Sequence, residues 1–134
     1  MENNERDVKT MHIGELAETT GLSLRTIRHY DEVGLLPASG RTEGGFRVYT
    51  VADMHRLQVV KQMKPLGFSL DEMAEILALL ADRDSGELTE GARERLAFLT
   101  GEAKSRREKI IRNLRQADEL IDRLDSSGEA PAGQ

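Results

Sequence analysis

Three pairs of cations carry the strongest chemical signal in this 134-residue chain. Arg25 and Arg28 lie three apart in LSLRTIRHY, so on a helix they share one face. A guanidinium fork there can reach phosphates or the base edges of a major groove. Thr26 and His29 add donors on the same stretch, with Tyr30 half-buried beneath them. Arg41 and Arg47 bracket Gly44-Gly45, and a glycine turn lets backbone come close to a phosphate. Arg47 has a second reading, as a bridge to a helix through a carboxylate. Lys61 and Lys64 are again three apart, and lysine binds phosphate without regard to sequence. The pattern is that of polyanion recognition, with no bond-making group in it.

Other chemistries have little support. Cysteine is absent, which removes disulfides, thiolate metal sites and thiol redox sensing. His12, His29 and His55 form no HxxxH or HExxH pair, so no histidine metal site is expected. Asp82, Asp84, Glu87, Glu90 and Glu94 lack calcium-loop spacing and are read as a solvated linker. No nucleophile–base arrangement, phosphate-cradling loop or paired-carboxylate cleft can be argued, so no enzyme and no cofactor are expected. No apolar run approaches the roughly 18 residues of a membrane span, and the polar start is no secretory signal. A cytoplasmic location is expected.

The net charge of −5 argues at first against a nucleic-acid partner. Its distribution reverses that. Residues 22–64 carry seven cations and four anions, a net of +3, while residues from Pro65 onward carry ten and fifteen, a net of −5.

These cations need elements to hold them. Residues 1–9 read as a disordered arm and 10–81 as one domain. Residues 10–12 suit a short strand. A first helix fits Gly14 to Thr19, and Gly21 supplies a turn. Ser23 is placed to cap a second helix that runs to about Val33, with Leu24 and Ile27 inward and Gly34 past its end. Gly44-Gly45 and the alternating Phe46-Arg47-Val48-Tyr49 predict a two-stranded wing over 40–49, with Tyr49 packing it on the core. A third helix follows Thr50, with Asp53 as its capping-box partner, to about Lys64; Arg56 on it is expected to be merely solvated. Lys61, Lys64 and the turn at Pro65-Leu66-Gly67 suggest a second wing. Ser69-Leu70-Asp71-Glu72 opens a fourth helix with the stripe Leu70, Met73, Ala74, Ile76, Leu77 and Leu80.

Residues 82–91 read as a linker and 126–134 as a disordered tail. Between them, about Thr89 to Leu124 predicts one helix roughly 50 Å long. Leu96, Leu99, Ala103, Ile110, Leu114, Ala117, Ile121 and Leu124 recur every three or four residues, interrupted by Arg107. So small a domain cannot bury such a stripe, and a coiled-coil homodimer over 92–125 is expected. The fold class is thus dominated by helices: a helix-turn-helix with a wing, a supporting helix pair and a long C-terminal helix.

IGELAETTGLSLRTIRHYDEVGLL (13–36), GRTEGGFRVYT (40–50) and LGFSLDEMAEIL (66–77) closely resemble the N-terminal domain of the MerR family of transcriptional regulators. The resemblance covers Met11 to Leu80, about half the chain. It implies a winged helix-turn-helix whose long helices pair antiparallel in a dimer. It implies that Arg25 and Arg28 contact DNA and that Tyr30 contacts the DNA backbone, while His29 stands where the family often has tyrosine. It further implies a palindromic promoter site, distortion of the spacer DNA there, and RNA polymerase as a partner. Family members sense metals or ligands through a region after the long helix. This chain has no cysteine and ends about ten residues past that helix, so DNA binding without an effector is expected. Two other readings compete: an architectural or recombination-directing DNA-binding protein, and a coiled-coil interaction adaptor. The arginines at 25, 28, 41 and 47 argue against the adaptor.

Overall fold

A computed structural model describes residues 10–36 and 40–128, with the side chains of 127 and 128 excepted; the arm expected at 1–9 and residues 129–134 of the expected tail lie outside it. The elements in order are β1 (Thr10–Met11), α1 (Ile13–Thr20), α2 (Leu24–Glu32), β2 (Gly40–Arg41), β3 (Arg47–Thr50), α3 (Val51–Met63), a 3-10 turn (Lys64–Leu66), α4 (Leu70–Asp84) and α5 (Glu90–Gly128). The chain divides between Leu88 and Thr89 into two compact units.

In the first unit the capping chemistry read from the sequence is made. Ser23 Oγ accepts from the Thr26 amide at 3.1 Å and starts α2. Thr50 and Asp53 close a reciprocal capping box on α3, and Ser69 and Glu72 close one on α4. Between α1 and α2, Gly21 takes φ +77°, a conformation costly for any residue with a Cβ. That one residue turns the helix-turn-helix. α1 packs on α2 and α3, and α3 packs on β3 and α4. Leu16, Ile27, Leu36, Tyr49, Leu57 and Val60 are essentially inaccessible to solvent and form the centre of the core.

The wing is a three-stranded antiparallel sheet in the order β1-β3-β2, not the two-stranded hairpin expected. Thr10 pairs with Thr50 and Met11 with Tyr49 on one side of β3; Gly40 pairs with Val48 and Arg41 with Arg47 on the other. A two-residue strand has too few positions to show a period, so its pairing with β3 is fixed only by the fold.

Several side chains depart from the expected stripes. Leu24 and Leu70, read as inward, are each 40% exposed. Both are the first residue of their helix, where no preceding turn exists to bury them. Ala74 is exposed, whereas Leu79, outside the expected stripe, is buried. Tyr30 is buried outright, with 5% of its surface exposed.

In the second unit, Thr89 Oγ1 accepts from the Ala92 amide at 3.1 Å where α5 begins. α5 has 39 residues, about 58 Å at 1.5 Å each. It continues through Ser126 to Gly128, residues assigned to the tail from sequence, because no glycine or proline interrupts the chain between Gly101 and Gly128. Along its stripe Leu99 is buried and Leu96 and Ala103 are half-buried. Beyond them Ile110, Leu114, Ile121 and Leu124 are 43–61% exposed, and Ala117 is exposed too.

Candidate nucleic-acid interface

α2 is held by its buried side and offers cations on the other. Ile27 and Tyr30 face the core, while Arg25, Arg28 and His29 are exposed. Thr26 is half-buried, and its Oγ1 accepts from Ser23 Oγ at 2.9 Å, so that hydroxyl is tied into the helix start. Helical spacing thus puts Arg25 and Arg28 on one open face near the N-terminus of a short, anchored helix.

The end of α2 is fixed from behind. The Leu35 and Leu36 amides both donate to the Tyr30 carbonyl, at 2.9 and 3.2 Å. Arg56 Nε donates to the Leu35 carbonyl at 2.8 Å. Arg56, expected to be solvated, therefore braces the turn that follows α2. The sequence carries no sign of this, because the partner is a backbone oxygen 21 residues away.

Asp31 joins α2 to the wing. Arg47 donates to one carboxylate oxygen in a short ion pair, and Tyr49 Oη donates to the other at 2.9 Å. The Asp31 side chain is 9% exposed against 42% for Arg47, so the carboxylate is the buried member. Such a bond is stronger than one on the open surface. Burial, helped by the hydrogen bond to Asp31, pushes the Tyr49 hydroxyl up to about 12. Arg47 is thus placed in the bridging role that was one of its two readings, and it also lines a concavity beside α2.

Arg41 is exposed and donates through Nη1 to the Gly45 carbonyl at 2.7 Å, across the tip of its own hairpin. Lys61 donates to the Thr20 carbonyl, the last residue of α1, where the negative end of the helix dipole favours an ammonium. Lys64 is exposed at the 3-10 turn. Two concavities open beside α2. One, of about 730 Å³, is lined by Arg28, Asp31, Arg41, Phe46, Arg47 and Tyr49. The other, of about 300 Å³, is lined by Thr26, Tyr30, Lys61, Lys64 and Pro65, with Leu22. Arg28, Arg41 and Arg47 are therefore gathered on the wing side of α2 and Lys61 and Lys64 on the side of α3, while Arg25 lines neither concavity. Phe46 was read only as a strand residue; it stands before β3, and its side chain is 69% exposed.

The apolar residues of the α5 stripe belong to the other unit. Leu120, 55% exposed, was missed there: it lies three residues after Ala117 and four before Leu124, beside the same face. Among the described residues no group of acidic or histidine side chains is arranged to hold a metal. No helix among them is long and apolar enough to cross a membrane.

Comparison with known proteins gives the family and the fold. The family model for the MerR HTH family regulatory protein matches residues 11–80, and the model described as MerR, DNA binding, matches residues 54–127. The heavy metal-dependent transcription regulator 2 of Rhizobium meliloti is 40% identical over 91 residues, which are 66% of this chain and 62% of that protein. The mercuric resistance operon regulatory protein of Bacillus cereus is 43% identical over 75 residues, 56% of each chain. The chain thus spans less than two thirds of the length of either relative. Among solved structures, HiNmlR, a MerR family regulator lacking the sensor domain and bound to promoter DNA, superposes with a TM-score of 0.69 at 25% identity, over 88% of this chain and 89% of that one. The N-terminus of MtaN, the multidrug transporter activator of Bacillus subtilis, gives 0.53 at 31% identity, over 90% and 99%.

Proposed function

The chain belongs to the MerR family of DNA-binding transcriptional regulators, and from that premise we propose that it acts as a homodimer on an inverted-repeat promoter site. The observation that carries the reading is α2 itself: anchored by Ile27, Tyr30 and the Asp31 bridge, it leaves Arg25 and Arg28 open to a major groove. Arg25 and Arg28, with His29 beside them, read bases or contact phosphates there. Thr26, and the edge of the otherwise buried Tyr30 that lines the smaller concavity, approach the backbone. Arg41 and Arg47 place the wing against phosphates or a minor groove, and Lys61 and Lys64 neutralise phosphate on the opposite side.

The exposed apolar stripe of α5 supports the dimer. Ile110, Leu114, Ile121 and Leu124 face solvent in one chain, and an antiparallel partner helix covers them. Two recognition helices related by a two-fold axis require a palindromic site, and linking them raises affinity through effective concentration. The promoter-bound neighbour supports a promoter as the site. The dimer distorts the DNA between the promoter elements so that RNA polymerase engages both. Two relatives are named for heavy metals and mercury, yet this chain has no thiolate to hold a soft ion, so it binds DNA without one.

Selection of genomic fragments by the purified chain tests the reading. The recovered fragments are expected to share one inverted repeat that lies within promoters. Fragments without a common motif would refute it.

A further inference from the structure

The feature that the polar account leaves unused is Phe46. Its side chain is 69% exposed, more than that of any other large apolar residue noted on the described surface. It sits on a hairpin that is stiff rather than loose. The Thr42 amide donates to the Phe46 carbonyl at 2.8 Å, the Gly45 amide to the Thr42 carbonyl at 2.9 Å, and the Phe46 amide to Thr42 Oγ1 at 3.2 Å. Arg41 ties the Gly45 carbonyl from the side. Gly45 takes φ +88°, and a Cβ on Gly44 would lie 3.4 Å from the Phe46 ring, so the two glycines let the ring lie close over the turn. The backbone therefore holds an aromatic ring in water at the wing tip.

We propose that Phe46 is an apolar wedge that packs on the deoxyribose and base edges of the minor groove next to each half-site, and thereby sets the DNA bend. This rests on the DNA-binding reading above. Three observations favour a duplex as the occupant. The ring is flanked in sequence and in space by Arg41 and Arg47, whose charge draws the tip to a polyanion. Phe46 and Arg28 line the same concavity, so one duplex meets the recognition helix and the ring together. The apolar surface of DNA, its sugars and base faces, is reached most readily in the minor groove, where apolar wedges unstack and bend the helix.

The wedge differs from a phosphate contact in salt dependence. A ring removes no counterion, so its loss leaves the salt slope of binding intact, whereas loss of a cation lowers it by about one. The experiment uses the full chain with Phe46→Ala, Phe46→Leu and Arg41→Ala, on a fragment recovered by genomic selection. Affinity is measured across a salt series, and bending by energy transfer between dyes at the fragment ends. Phe46→Ala is expected to bind about tenfold more weakly with unchanged slope and a smaller bend. Phe46→Leu keeps most of both, and Arg41→Ala lowers the slope. The wedge is overturned if Phe46→Ala binds and bends as the wild type does, or if its slope falls as far as that of Arg41→Ala. It is also overturned if Phe46→Ala melts well below the wild type, since the ring would then be packing on its own fold. If the wild type prefers no fragment at all, the DNA-binding reading fails first and the wedge with it.

Discussion

Removing the Tyr49 hydroxyl should change how stability depends on alkaline pH. The hydroxyl is buried, donates to Asp31 at 2.9 Å, and titrates near 12 instead of 10. The folded state thus binds this proton more tightly than the unfolded state does. Its contribution is fully present below pH 10 and is lost as pH rises through 12. Two pH units correspond to about 3 kcal/mol between those limits. At pH 8, Tyr49→Phe loses one hydrogen bond to a carboxylate, a cost of about 1.5–3 kcal/mol. Above pH 10 the wild type falls toward the variant while the variant stays flatter, so the gap closes. Urea unfolding of both proteins at intervals from pH 8 to 12 measures this, and tyrosinate absorbance assigns the proton, since Tyr30 is the only other tyrosine. Parallel curves for the two proteins would refute the reasoning, as would a Tyr49 hydroxyl, identified by its loss in Tyr49→Phe, that ionises near pH 10.

Leu114→Asp places a charge in the middle of the exposed stripe and is expected to abolish both the dimer and site binding; light scattering that still shows a dimer would refute the coiled coil. Arg28→Ala is expected to cost about 1–3 kcal/mol on the best site and to blur its preference in a competition assay, where an unchanged preference would move base reading elsewhere on α2. Lys61→Ala loses the helix-end contact at Thr20 and, on the proposed DNA-binding role, a phosphate contact, so melting is expected to drop by the equivalent of about 0.3–1 kcal/mol and binding to weaken equally on all sequences. Zinc, copper(I) or mercury(II) at stoichiometric amounts is expected to leave site affinity unchanged, and a saturable shift above about tenfold would point to a metal site.

What was legible in the sequence was whatever depends on near neighbours. Ser23, Thr50-Asp53 and Ser69-Glu72 announce helix starts because each bond spans three residues. Gly21 and Gly45 announce turns because each takes a positive φ that favours glycine. The α5 stripe shows as a period of three and four. What stayed hidden were contacts across the fold. The Arg56 bond to the Leu35 carbonyl and the Lys61 bond to the Thr20 carbonyl span 21 and 41 residues, and no side-chain pairing marks them. The bridge from Arg47 to Asp31 was legible as a type of role but not as a partner, because a carboxylate on α2 had to be chosen from among several. β1 was legible as a strand and illegible as the third strand of the wing. Phe46 was misplaced for a simpler reason: alternation of residue types continued one position beyond the strand.

The central claim, that two copies of α2 read one palindromic duplex, is tested most directly by affinity for a selected fragment against a scrambled one at fixed salt. Binding to the selected fragment is expected to be tighter by about a thousandfold or more, with two chains per duplex and a steep fall in affinity with salt. Equal binding to both fragments with a weak salt slope would contradict the claim and would leave the α5 stripe as the working part of the molecule.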